Sequence, residues 1–522
     1  MAQAIELPAI IKLIEAGEYK KASSALSRFL KTNKVEGNDK ILLSSAYQGL
    51  GKREESLRVL GRVLGKDELK ICTELELKKQ MSLANRYSGL GCHWVAQRIF
   101  TNLEEAMTER RLNPQHLYPN YYYFLSNHYL SAREYIPGLE SAKKALAAEK
   151  NKFSCATMGR ATTALNQLDL ALNFYSEVLN LCAEKETLWK AIALSRRGEI
   201  YYFMKDFKKA ELDFIASAHF LEGNTGGEKS FLLRCRGALE FAQGNFKQAC
   251  DYLQDGLATI GQSTTAPGYS LAIYYFLERL PSYELDLSKK IALRCHPCDH
   301  EYSYLSGRRW NRLKDRPLMF WYQEQYNETA NDCWWISEGK IHAQEYFKGD
   351  FFYHREKKPV LDLYSGILLI HEKKEFICLS EIQTRALHAI IASGSLGIHK
   401  FALADYVYRQ NFQDPACGEE RMSKLVTQLR KWGFKITLEN NIYHFSDYHK
   451  YHLVLPMNDS LSHRSKYLRR YKLEFTREDV EAIYRIQSSN AKIWIKTWLE
   501  EKIIISQGLG NTISYCFKEK EV

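Results

Sequence analysis

A chain of 522 residues is too long for one compact core, so about two to four domains are expected. Its 45% hydrophobic and 26% charged residues exclude wholesale disorder and allow a large buried core. The formal net charge of +11 permits a polyanionic partner without pointing to one. Residues 361–522 carry nearly as many acids as bases, so the excess is not gathered in the tail.

The first residues, Met1 to Gly17, lack a basic segment followed by an unbroken apolar run, so no signal peptide is expected. No 18-residue apolar stretch occurs, which predicts no membrane span. The 12 cysteines show no framework spacing and read as reduced thiols, which predicts a cytoplasmic protein. The 33 Tyr and 24 Phe suit helix-pair packing, because each ring buries a large apolar area.

A short pattern recurs through the first half: a turn residue, often an aromatic two positions later, and a small residue at the fifth. Clear copies are Gly17-Glu-Tyr19-Lys-Lys-Ala22, Gly51 with Ser56, Gly91 with Ala96, and Gly244-Asn-Phe246-Lys-Gln-Ala249. Weaker copies start at Arg133, Asn166 and Lys205. The starts lie 33 to 42 residues apart, and an amphipathic run stands on either side of each. A helix pair of this length cannot bury its apolar face alone, so neighbours must stack. The small residue lets two backbones approach, and the turn residue takes the conformation that ends the first helix. The pattern resembles the tetratricopeptide repeat family, with seven units from about residue 5 to 262. The resemblance implies a groove for a protein or peptide partner. An irregular helical bundle is the alternative.

Gln262-Ser-Thr-Thr-Ala-Pro-Gly268 breaks the pattern. Residues 263–358 are rich in aromatics and read as a mixed linker domain. Cys295-His-Pro-Cys298-Asp-His300 supplies two paired thiolates, with His300 and Cys333 as candidate further ligands. Tetrahedral zinc needs four ligands and no second paired motif appears, so the expectation is no metal and no cofactor, with buried reduced cysteines instead.

From Leu361 the pattern changes. Leu361–Ile370 and Glu375–Leu379 read as short strands, Ser380 as the cap of a helix over Glu381–Ala392, and His399–Tyr408 and Glu419–Trp432 as two further helices. Phe434–Leu438, Asn440-Asn441 and Ile442–Phe445 read as a hairpin with a tight turn. Strands, three helices and a terminal hairpin in that order form a winged helix-turn-helix, here over 359–448. Leu425-Val-Thr-Gln-Leu-Arg-Lys431 resembles the recognition helix of OmpR-type response-regulator DNA-binding domains. That resemblance implies DNA contacts at Thr427, Gln428 and Arg430. Helical spacing places Lys424, Thr427 and Lys431 opposite the core stripe of Met422, Val426 and Leu429. Glu420 near the helix start and the glycine-poor turn depart from the family's pattern.

A second winged helix is expected over 460–522. Thr476-Arg-Glu-Asp479 opens one helix, Ser488-Ser489 caps a longer one over Asn490–Lys502, and a hairpin with a glycine tip follows. Ser488, Ser489 and Asn490 suit phosphate or base edges, with Lys492 and Lys496 adding charge. Ile493 and Trp494 stand where such helices often carry polar residues.

No Walker-type loop, His-Glu-x-x-His motif or oriented nucleophile is visible, so no enzyme is expected. The fold class expected is mainly α: an α-solenoid followed by α+β winged-helix domains. The leading functional expectation is a transcriptional regulator binding double-stranded DNA, with the array sensing a partner or forming a homo-oligomer. The alternatives are an interaction scaffold that binds proteins and not DNA, and an accessory factor that grips a duplex.

Overall fold

In a computed structural model the chain is described at residues 6–16, 18–50, 52–60, 73–108, 115–131, 135–165, 167–222, 227–260, 267–295, 333–337, 340–342, 358–363, 366–370, 375–408, 418–456, 468, 474–484, 488–500, 502–508 and 513–517. These residues fall in two compact units. One contains the residues up to Asp286 together with 399–422; the other contains the described parts of 287–398 and 423–517. None of the described helices is long and apolar enough to cross a membrane.

The first unit is a stack of seven helix hairpins, the solenoid that the repeat pattern predicts. They are α1 (Leu7–Glu15) with α2 (Tyr19–Thr32), α3 (Asn38–Gly49) with α4 (Arg53–Leu60), and α5 (Glu74–Gly89) with α6 (His93–Thr108). Next come α7 (Tyr118–Ser131) with α8 (Tyr135–Ala148) and α9 (Lys152–Ala164) with α10 (Leu168–Leu181). The last are α11 (Thr187–Phe203) with α12 (Phe207–Phe220) and α13 (Gly227–Ala242) with α14 (Phe246–Ile260), before α15 (Pro267–Leu277). The first helix of each hairpin packs on the first helix of the next, with α9 meeting α11 through Phe153 and Trp189, so α1, α3, α5, α7, α9, α11, α13 and α15 form one row.

The fifth-position residues Ala22, Ser56, Ala96, Ala171, Ala210 and Ala249 are all fully buried. Ser56, Ala210 and Ala249 each meet a small residue twelve positions earlier, on the first helix of the hairpin. The Ser44 and Ser56 hydroxyls meet at 2.7 Å, and the Ser126 hydroxyl donates to the Gly138 carbonyl at 2.7 Å. A Cβ added to Gly198 would lie 3.2 Å from the Ala210 carbonyl, and one added to Gly237 would lie 3.3 Å from that of Ala249. Turn conformation follows the expectation where it is described: φ is +81° at Gly91, +82° at Gly244 and +62° at Lys205. The turn positions Gly17, Gly51, Arg133 and Asn166 lie outside the described residues.

The second unit begins with α16 (Leu287–Cys295). Strands β1 (Cys333–Ser337), β2 (Lys340–His342), β3 (Val360–Asp362), β4 (Ile367–Ile370) and β5 (Glu375–Cys378) join a later strand, β9 (His452–Pro456), in a six-stranded sheet of order β2-β1-β9-β3-β4-β5. Only β3 and β9 run parallel. The sheet therefore draws strands from both sides of the expected boundary at 358–359. Strand β9 lies between the two expected winged helices, where sequence patterning assigns no domain. The reason is long-range pairing: β1 finds β9 more than a hundred residues away, which no local signal announces.

Helix α17 (Glu381–Ala392) has the expected Ser380 cap, completed by Gln383 as a capping box. Strand β6 (Ile398–His399) was not expected, and helix α18 (Lys400–Val407), helix α19 (Glu419–Lys431) and strands β7 (Ile436–Glu439) and β8 (Ile442–Phe445) follow in the expected order. Asn440 and Asn441 both take positive φ, 50° and 66°, the requirement of a two-residue type I′ hairpin turn. In the last segment β10 (Glu474–Phe475), α20 (Arg477–Tyr484), α21 (Ser488–Glu500), β11 (Ile504–Gln507) and β12 (Ser514–Phe517) enclose Phe475, Val480, Ala491, Ile495, Trp498 and Ile504. The Thr476–Asp479 capping pair is present, with the Asp479 amide donating to the Thr476 hydroxyl and the Thr476 amide to the Asp479 carboxylate. Helix α21 starts at Ser488, so Ser488 and Ser489 sit in its first turn instead of capping it. The Cys295–His300 motif beyond the Cys295 backbone, and the glycine tip beyond Gly508, lie outside the described residues. No cluster of metal-ligating side chains occurs among the described residues.

Two substitutions test the crossing. A Cβ at Gly198 would lie 2.6 Å from the Phe214 ring, so Gly198→Val should destabilise the chain by about 1–3 kcal/mol in urea titration. Gly89, at the end of α5, has nothing within 4 Å of an added Cβ. Gly89→Ala should be neutral or stabilising by up to about 1 kcal/mol. Equal effects would remove the close approach as the controlling interaction.

Candidate functional site

The residues picked out from sequence divide between two helices. On α19, Lys424, Thr427, Gln428, Arg430 and Lys431 are exposed, while Met422, Val426 and Leu429 are buried, as helical spacing requires. Two of the five are engaged with backbone. The Thr427 hydroxyl donates to the Ser423 carbonyl at 2.8 Å. Arg430 Nε donates to the Ile436 carbonyl at 2.8 Å and ties the helix to the hairpin that follows it. Arg430 thus has a local fold role that the resemblance did not supply.

On α21, Ser489, Lys492, Ile493 and Lys496 are exposed, and Ser488 is half-buried. The Asn490 side chain lies outside the described residues. Lys496 approaches Glu500 at 3.8 Å, one helical turn on. Ile493, 60% exposed, sits near the centre of the outward face, with Lys492 and Lys496 to one side. Each predicted set is therefore brought together on its own helix.

A third site was not anticipated. Every residue of α18 is buried, including Lys400 and Asp405. The Asp405 carboxylate accepts hydrogen bonds from the Trp94 and Val95 amides, both at 3.0 Å. Those amides are the second and third of α6 and have no partner inside their own helix. The residue that should cap them, Cys92, has no side-chain oxygen. Asp405 supplies the missing cap from more than three hundred residues away, with both carboxyl oxygens at the amino end of the helix. Around it, Ala402 Cβ would lie 3.8 Å from a Cβ on Gly91, and Lys400 pairs with Glu419 at 3.0 Å. Burial pushes the Asp405 carboxyl up to about 7, against the pull of the two amides.

No protein-family model matches the sequence, and no curated protein does. Solved structures similar to the chain include the APC/C hetero-tetramer Cut9–Hcn1, at 15% identity and a TM-score of 0.38, over 52% of this chain and 48% of that one. The chain thus spans about half the length of that structure. A Rap protein complexed with Competence and Sporulation Factor is similar at 14% identity and a TM-score of 0.40, over 60% of this chain and 94% of that one. A tetratricopeptide repeat protein from Parabacteroides merdae is similar at 15% identity and a TM-score of 0.32, over 52% and 96%.

The sequence signal for Asp405 was present in part. Lys400-Phe-Ala-Leu-Ala-Asp-Tyr-Val407 is apolar on most sides with one acid near its end, and Cys92 is a poor cap ahead of a strong amphipathic helix. Neither feature names the other. A different buried group, His128, is held by Ser88 at 3.2 Å and Gln97 at 3.1 Å. Burial pushes its pKa down to about 3, so it is neutral and structural.

Asp405→Ala removes both acceptors and should cost about 1–3 kcal/mol in thermal or urea unfolding. The folded carboxyl holds its proton to about 7, whereas the unfolded one releases it near 3.8. Its contribution is therefore complete at low pH and is lost as pH rises through 7, at about 1.4 kcal/mol per unit between the two values. Asp405→Asn, which cannot ionise, should flatten the wild-type fall in stability between about pH 4 and 7. An unchanged pH profile in that variant would contradict the assignment.

Proposed function

We propose that this chain is a non-enzymatic protein-interaction scaffold: the helix-hairpin array takes a protein or peptide partner, and the C-terminal region makes protein contacts. One observation carries the reading. Helix α18, the first helix of the expected helix-turn-helix, is buried on all faces, and its acid caps a helix of the repeat array. In a DNA-binding helix-turn-helix this helix lies across the phosphate backbone. Here its outward side is already occupied by protein. Ile493, exposed where a base-reading polar residue would be expected, supports the same reading for the last segment.

A second reading keeps its own support. Lys424, Gln428 and Lys431 are exposed along one face of α19, opposite the buried stripe. On this reading the two winged helices bind double-stranded DNA and the protein regulates transcription. Binding of the whole chain to a random duplex pool across a salt series separates the two. The scaffold reading predicts no salt-dependent affinity, and no change on replacing Lys424, Lys431, Lys492 and Lys496 with Ala. The DNA reading predicts binding at low salt, with the log–log salt slope reduced by about one unit for each phosphate that a variant no longer grips. It also predicts that Gln428→Ala and Asn490→Ala alter sequence preference. That second pattern would displace the scaffold reading.

A further inference from the structure

In a stack of helix hairpins each unit ordinarily touches only its neighbours in sequence. Helix α1 departs from that rule. It packs on α2 and α3, as a first hairpin should, and it also touches α11, which belongs to the sixth hairpin. The row of first helices thus returns to its own start, with α3, α5, α7 and α9 between the two helices that meet.

Both helices are anchored elsewhere. The buried residues of α1, Leu7, Ile10 and Ile14, share one core with Leu26 and Phe29 of α2 and Leu43 of α3. On α11, Ala193 packs with Cys155 and Val178, and Ile200 packs with Ala171 and Tyr175. None of these three cores holds residues of both α1 and α11. Polar groups do not fasten the contact either. Lys12 and Glu15, the charged residues of α1, form no ion pair among the described residues. On α11, Arg197 is held by Asp213 at 2.8 Å, and Lys190 donates to the Glu184 carbonyl at 3.1 Å. The join between the second and third hairpins is of another kind. There Arg86 of α5 donates to the Ser45 hydroxyl of α3 at 3.1 Å and to the Ser56 hydroxyl of α4 at 3.2 Å.

We propose that the contact between α1 and α11 is a gate: closed, it completes a ring of six first helices, and open, it admits a protein segment to the inner side of that ring. The inference rests on the scaffold reading and adds control of access to it. Helices packed at about 8–10 Å around such a ring leave room inside for side chains and not for a further helix, whose diameter is about 10–12 Å. A partner that is folded, or that has no free end to thread, enters only when the ring opens. The moving body is α1 with α2 and α3, because those three share a core. The contact it gives up holds neither a shared core nor an ion pair of α1, so opening costs little. Two states a few kcal/mol apart keep the minor one at about 0.1–10%.

The test is single-molecule energy transfer on the full chain. Dyes are attached through p-acetylphenylalanine, whose keto group is addressed without touching the 12 cysteines. One pair of dyes replaces Lys12 on α1 and Lys185 just ahead of α11, both exposed. A reference pair replaces Lys12 and Lys40, the latter exposed on α3. Should labelling at Lys12 prevent folding, the exposed Ala9 of α1 takes its place in both pairs. The gate predicts two interconverting populations for the first pair: a majority at high transfer and an open minority of about 1–10% at low transfer. It predicts one unchanging value for the reference pair. High transfer alone in the first pair would show a static ring and overturn the gate. Low transfer alone would show that α1 and α11 do not meet in solution, and overturns it as well. A reference pair that splits together with the first would mean that the leading hairpin unfolds instead of swinging, which also overturns the gate. None of these outcomes involves a partner, so the duplex assay decides the scaffold reading separately.

Discussion

The close approach of two helices at a pair of small residues twelve positions apart is the constraint on which the array depends. It recurs as Ser44 with Ser56, Ser126 with Gly138, Gly198 with Ala210 and Gly237 with Ala249. At such a crossing a backbone carbonyl lies within van der Waals reach of the neighbouring helix, so even one added methyl group is felt. The spacing also sets the turn. With the crossing fixed near the middle of each helix, the chain must reverse within a few residues, and Gly91, Lys205 and Gly244 take positive φ to do so. Tyr175 packs against Gly159 and Phe214 against Gly198, and Phe100 meets Tyr121 edge-on. The abundance of aromatic residues follows from this geometry.

Fixing the turns also fixes where each second helix begins, and this governs the site at Asp405. A tight reversal at Gly91 leaves Cys92 as the residue ahead of α6 and exposes the first-turn amides to whatever packs there. In a lone hairpin water would satisfy them. Here an acid from α18 does so, inside a buried surface where the alternative is an unsatisfied amide pair. Arg197, Arg234 and Arg196 pair with Asp213, Glu199 and Glu228, Arg236 is held by Tyr252, and among the described residues the Arg86 guanidinium is held by serine hydroxyls.

Local signals made much of this legible. The repeat spacing, the buried small residue and the turn conformation follow from periodicity and from glycine's freedom at positive φ. The capping boxes at Ser380 and Thr476 and the Asn440-Asn441 turn were readable because each is complete within four residues. What escaped was non-local. Strand β9 is short and unremarkable in sequence, yet it stands between β1 and β3 at the centre of the six-stranded sheet. The outward face of α19 could be drawn by counting at 100° per residue, but not the bond from Arg430 to Ile436, which depends on where the hairpin returns. Asp405 and Arg86 are the plainest cases. An acid in an apolar helix and an arginine in an amphipathic one are ordinary in sequence, and they become informative only when their partners are seen in space.

The scaffold reading turns on helix α18 packing against the repeat array through the Asp405 carboxyl group. Amide hydrogen exchange on the intact protein, resolved at Trp94 and Val95, tests this most directly. First-turn amides of a helix have no intrahelical acceptor and exchange quickly unless something else holds them. Slow exchange is expected at both positions, comparable to the interior of α6, with rapid exchange at those two amides alone in Asp405→Ala. Rapid exchange at Trp94 and Val95 in the wild-type protein, with the rest of α6 protected, would contradict it.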